Sequence, residues 1–146
     1  MGSDIWRPVR GELRRILLTV PGVPDIAYEG RDFTPTSNVA WLRERIDKGS
    51  AVTATLGTYG MVEERAIYAL DLNWPRVGSF AEGEDIADAI RIAFWPGREI
   101  TGAGTDYASG GVLASHARTA IVFDGWVQFP VRVEFYFRRK TAQGRA

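Results

Sequence analysis

His116 is the single histidine of the 146-residue chain, and Ser109, Ser115 and Asp106 stand close to it. Serine, histidine and aspartate are the types that share a proton in nucleophilic catalysis. Such a nucleophile needs a strained turn that exposes its hydroxyl, and no Gly-x-Ser-x-Gly elbow occurs. His116 instead falls mid-strand among small or apolar neighbours, the setting of a structural or surface histidine. One histidine excludes every two-histidine metal motif, HExxH included. With no cysteine, neither a thiolate site nor a disulfide framework is available. Gly102-Ala103-Gly104, followed by Thr105-Asp106, has the glycine content of a phosphate cradle. That chemistry needs a helix N-terminus after the loop and a Gly-Lys-Ser/Thr sequence, whereas the pattern that follows here is a strand. Glu82, Glu84, Asp85 and Asp88 cluster at a predicted helix start, where the helix dipole favours acids. Glu63-Glu64 lacks the partner spacing of an acid–base pair. No residue is assigned a catalytic, cofactor-binding or metal-ligating role, and no cofactor is expected.

The elements that would position any site follow from periodicity. Asp4 to Val20 places Ile5, Val9, Leu13, Ile16, Leu17 and Val20 at helical spacing, with Arg7, Arg10, Glu12, Arg14 and Arg15 on a solvated face. Ser3 or Asp4 caps it, and Pro21-Gly22 stops it. A short strand ends at Tyr28, a loop is plugged by Phe33 and stiffened by Pro35, and a second strand opens at Trp41. Gly49, Gly57 and Gly60 mark Asp47 to Met61 as a loop. Ala66, Tyr68, Leu70, Leu72 and Trp74 alternate with Ile67, Ala69, Asp71 and Asn73, which is the period of a strand, closed by Pro75. Ser79 with Glu82 fits a capping box, and Gly83 weakens that first turn. Ile86, Ala89, Ile90, Ala93 and Phe94 give the second helix its apolar stripe before Pro96-Gly97.

Gly110-Gly111 opens an extended run from Val112 to Phe123, and Asp124-Gly125 supplies a tight hairpin turn. Trp126 to Arg138 returns with Val127, Phe129, Val131, Val133, Phe135 and Phe137 on one side. Pro130 has no donor and marks an edge or a bulge. The expected fold is α+β: a mostly antiparallel sheet with two helices packed on one face. A single domain spans residues 1–146, with 1–3 and 139–146 loose.

Eighteen basic residues balance eighteen acidic ones, which removes the basic surplus that nucleic-acid binding needs. The near-zero net charge is compatible with self-association. Apolar residues make up 45% and charged residues 25%, the balance of a folded chain. The longest apolar runs are too short to cross a membrane, and Met1 to Asp4 lacks the basic region and apolar core of a signal peptide. The aromatic supply is generous, and Trp6, Trp41, Trp74, Trp95 and Trp126 fall at element ends, where aromatics anchor interfaces. Tyr28, Phe33, Trp41, Gly57, Tyr59 and Trp74 are the candidate residues of such an interface. From the residues alone two classes stand: an assembly protein without an active site, and a small-molecule- or protein-binding module or enzyme of unrelated role.

Three segments carry a family likeness. The first helix runs into Pro21-Gly22-Val23, then Ile26-Ala27-Tyr28-Glu29 and Phe33-Thr34-Pro35. Trp41-Leu42-Arg43 leads into a Gly-rich stretch. Phe94-Trp95-Pro96-Gly97 precedes Asp124-Gly125-Trp126-Val127 and Pro130-Val131. Together they resemble the tail terminator-like proteins of long-tailed bacteriophages and prophages. Members of that family usually carry Trp-Glu-Asn where this chain has Tyr28-Glu29-Gly30, and a Gly-rich link where it has Asn73-Trp74-Pro75. The resemblance implies a structural subunit that forms a six-membered ring on the tail tube. The ring would stop tube polymerisation and meet the head-side connector or neck protein. Its implied partners are further copies of itself, the tail tube protein and that connector. It implies residence in the virion tail after assembly in the bacterial host cytoplasm. A head-completion or neck component is the neighbouring alternative.

Overall fold

The computed structural model describes residues 6–53, 60–102 and 107–140. Helix α1, Trp6–Leu18, buries Val9, Leu13, Ile16 and Leu17, one stripe at helical spacing. It ends before Pro21-Gly22, where Gly22 takes a φ of 82° that a side chain would resist. Ser3 and Asp4, expected to cap it, lie outside the described residues. Strand β1, Asp25–Ala27, then runs parallel to β2, Trp41–Thr53, with Ile26 opposite Leu42. Strand β3, Met61–Pro75, returns antiparallel to β2. Helix α2, Phe80–Ala93, follows, its first turn capped by Ser79, whose side chain accepts from the Glu82 N–H. The chain closes with β4, Tyr107–Ala117, β5, Ile121–Phe123, and β6, Trp126–Lys140.

Across the sheet the order is β1-β2-β3-β6-β4, with β5 also on β6. The sheet is mixed through its one parallel pair and otherwise antiparallel. Register puts Leu42, Leu72 and Phe129 on one face, and Ile46, Tyr68 and Val133 beside them. The helices cover that face: Trp6 meets Phe137 edge-on at 4.8 Å, and Phe94 meets Tyr68 at 5.8 Å. Each large apolar side chain removed from water there contributes about 1.5–3 kcal/mol. The architecture is α+β with two helices on one face, as the periodicities predict.

The differences from expectation are local. The stretch from Asp47 read as a loop, but β2 continues to Thr53 and β3 starts at Met61. Gly49 and Ser50 occupy a bulge where the register shifts between Lys48 and Ala51. A side chain at Gly49 would press within 2.8 Å of the Arg65 carbonyl. The run to Phe123 is not one strand. It starts earlier, at Tyr107, and breaks after Ala117 into β4 and β5. Pro130 is at neither a sheet edge nor a register shift of its ladder with β3: β6 lies between β3 and β4. Its carbonyl accepts from the Arg118 N–H at 2.8 Å, so its missing donor faces exposed Arg118 at the end of β4 and removes no bond from the ladder with β3. Arg139 and Lys140, expected in a loose tail, pair with Val62 and Met61. Gly83, expected only to weaken α2, is buried where α2 comes closest to the sheet; a Cβ there would reach within 2.5 Å of the Phe129 ring.

Candidate functional site

The first arm of the site is the β1–β2 edge. Strand β1 is three residues long, and the loop after it turns at Gly30 with a φ of 81°. Three of the predicted interface residues meet in this region. Phe33 stacks on Trp41 at 5.4 Å, Trp41 meets Trp126 edge-on at 6.5 Å, and Tyr28 lies under the guanidiniums of Arg14 and Arg31. Trp74 does not join them. It projects from the helix side of β3, against Gly78 and Gly83. Gly57 and Tyr59 lie outside the described residues.

Behind this edge is a group of charges that spacing alone did not reveal. Glu44, on the helix side of β2, is 1% exposed. Arg14 donates to its two oxygens through Nε and Nη2, at 2.6–3.1 Å. The Tyr68 hydroxyl donates to it as well. Burial pushes the Glu44 carboxyl up, but these hydrogen bonds and the Arg14 charge hold it below the usual carboxylate range. Burial and the facing carboxylate push the Tyr68 hydroxyl well above its usual range. Arg10 pairs with Glu29 at 2.6 Å, and the Glu29 carboxylate accepts the Ile46 N–H at 3.2 Å. Glu29 therefore closes the β2 edge where β1 stops. Arg10 and Arg14, expected on a solvated face, tie α1 to the sheet. The available signal was Glu44 itself, a charge at the inward parity between Leu42 and Ile46.

A cleft of about 370 Å³ opens on this edge, lined by Tyr28, Arg31, Asp32, Phe33 and Arg43 among others. At the opposite side of the sheet a groove of about 630 Å³ separates the first half of α2 from the link between β4 and β5. Phe80, Val122 and Phe129 supply apolar surface there, Glu84, Asp85 and Asp88 supply acids, and Arg118 faces them.

The residues first considered for chemistry are dispersed. His116 Nε2 lies 2.8 Å from Glu134 Oε2, both about half exposed. Ser115 points to the other face and donates to the Arg91 carbonyl at 3.1 Å. Asp106 lies outside the described residues, as does Gly104. A strand, not a helix, begins at Tyr107. Glu63 is held by Arg65 and Arg138, Glu64 by Arg139, and Asp88 by Arg91. Among the described residues no group of acids and histidine is placed to hold a metal ion.

Comparison with known proteins adds a family. A family model described as "Phage tail terminator protein" matches residues 4–135. No curated protein matches the chain. One solved chain, which carries no descriptive name, superposes with a TM-score of 0.70 at 14% identity, over 94% of this chain and 96% of its own length. Another, from the virion of a native gene transfer agent particle, gives 0.57 at 12% identity, over 96% and 100%. At such identities the shared property is the fold.

Proposed function

The chain belongs to the phage tail terminator protein family, and on that premise we propose that it closes as a six-membered ring on the end of the tail tube. The ring stops tube polymerisation and offers its free side to the head-side connector. A structural role in the phage tail follows from the family itself. The ring and the cap are the finer reading. The observation that carries it is the extent of the match, residues 4–135, which takes in both helices and the sheet up to Phe135 rather than one local motif.

The molecule's two sheet edges support ring formation. A ring needs two different patches on one subunit, each fitting the other on its neighbour. Strand β1 covers only the start of β2, and the Gly97–Ile100 segment bonds β4 only around Gly110 and Val112. Both edges therefore keep surface for a neighbour. In this reading the chain acts in the virion tail, assembles in the host cytoplasm, and has no catalytic role. In the same reading the Asp47 to Met61 segment contacts tube or neck. Ser50 to Thr53 belong to β2, and residues 54–59 lie outside the described residues.

The test is to add the purified chain to polymerising tail tube protein and measure tube lengths by negative-stain microscopy, with native mass measurement of the chain alone and with tubes. Blocked elongation, ring-shaped tube ends and a mass six times that of the chain are expected. Unchanged tube growth overturns the cap.

A further inference from the structure

The two clefts lie at the same level of one sheet. Arg43 stands opposite Asp71, Asp71 stands opposite Pro130, and the Pro130 carbonyl bonds the Arg118 N–H. Ala27 pairs with Arg43 on the β1–β2 side, so one line across the strands runs from Ala27 through Arg43 to Arg118 at the β4–β5 gap. The two sides are different patches of one subunit, which is what a head-to-tail contact between copies requires.

Their charges also match. Lining the cleft on the β1–β2 side, Arg31, Arg43 and Asp32 are exposed and have no ion-pair partner among the described residues; the two arginines lie only against the Tyr28 and Trp41 rings. In the groove Glu84, Asp85 and Arg118 are exposed and equally without an ion-pair partner among the described residues. Two cations and an anion face two anions and a cation. The groove adds apolar surface that water covers in the single chain, with Phe80 49% and Val122 56% exposed. The other side offers Phe33.

We propose that the β1–β2 edge of one copy, led by Arg31 and Arg43, docks into the groove between α2 and the β4–β5 link of a second copy, against Glu84 and Asp85. The proposal deepens the ring reading and rests on it: it names the two surfaces through which the subunits join. Charge pairing of this kind fixes partner and register, and reversing it sets like charges together.

The experiment uses two double variants of the whole chain, Arg31→Glu with Arg43→Glu and Glu84→Lys with Asp85→Lys. All four positions are exposed, so circular dichroism is expected to match the parent chain, with melting lowered slightly in the lysine pair because it stands near the start of α2. Each variant alone should associate on the order of a hundredfold more weakly by sedimentation. An equal mixture of the two should recover rings of alternating copies, because each reversed edge then meets a reversed groove. If one double variant fails to fold, the neutral pair Arg43→Gln and Glu84→Gln replaces it and should weaken association to a smaller degree. Rings from either reversed variant at parental strength would overturn this interface while leaving the ring itself standing. So would failure of the mixture to recover. Normal rings that no longer cap tubes would assign these surfaces to the tube protein and overturn the proposal. A parent chain that never self-associates, alone or on tubes, would overturn the ring reading and this interface with it.

Discussion

At the residue scale, Glu44 shows how a charge can be placed in a core. Its carboxylate lies between α1 and the sheet, and Arg14 and Tyr68 replace the water it loses. Breaking a buried pair leaves the other charge without a partner, so Glu44→Gln is expected to cost on the order of 3 kcal/mol at neutral pH, read by urea denaturation. Its folded pKa lies below its unfolded value. The stabilisation is therefore complete above the unfolded glutamate value, about 4.3, and is lost as pH falls through the lower folded value. The Arg65 hydrogen bond depresses Glu63 in the same sense. Glu44→Gln should accordingly flatten, without abolishing, the acid limb of a stability–pH curve. A limb as steep as the parent's would remove Glu44 from the account. Two helical glycines separate propensity from packing. Gly11 has open space around the position of a Cβ, so Gly11→Ala should stabilise by up to about 1 kcal/mol. Gly83→Ala gains the same propensity but drives a methyl into Phe129 and toward Trp74. It is expected to lose a net 1–2 kcal/mol, on the order of an overpacked core. Thermal melts of the two variants should shift in opposite directions.

At the scale of elements, alternation and helical spacing name each long strand and both helices, because inward and outward positions differ in chemistry along them. What they miss is where a strand is interrupted. Gly49 and Ser50 have loop composition, yet neighbours β3 and β6 hold that part of the sheet together, and the glycine serves a bulge. Pro130 has edge chemistry, yet sits in a central strand because the chain leaves the ladder opposite it. Composition cannot distinguish these cases, since both depend on a partner strand far away in sequence. The loop from Tyr28 to Ala40 is held by one aromatic plug, Phe33 on Trp41. Phe33→Ala should cost about 1–2 kcal/mol, less than a core phenylalanine because Phe33 is only partly buried. It should speed amide exchange in that loop and leave β3 and β6 protected; faster exchange throughout would show that the plug supports the whole sheet. Glycine at position 30 suits the left-handed turn that Asn, usual there in the family, also adopts.

At the scale of the whole molecule, balanced charge conceals an uneven distribution. Many charges are tied up in internal pairs, while Arg31, Asp32 and Arg43 on one side and Glu84, Asp85 and Arg118 on the other have no ion-pair partner among the described residues. Raising salt from about 0.1 M to about 1 M shortens the screening length from about 10 Å to about 3 Å. Self-association through those sides should then weaken by sedimentation, whereas a contact held by apolar burial alone would not. The sequence by itself determined the element types, the lack of any thiolate or two-histidine chemistry, and the family likeness carried by Tyr28-Glu29, Phe33-Thr34-Pro35 and Trp41. Each of these depends on residue type or on neighbours a few positions away. Only the tertiary structure decided that Glu44 is buried, that Trp74 faces away from Trp41, and that Arg43 and Arg118 lie on one line across the sheet. Those facts follow from strand order and register, which are set by pairing between residues dozens of positions apart, and no local pattern encodes them.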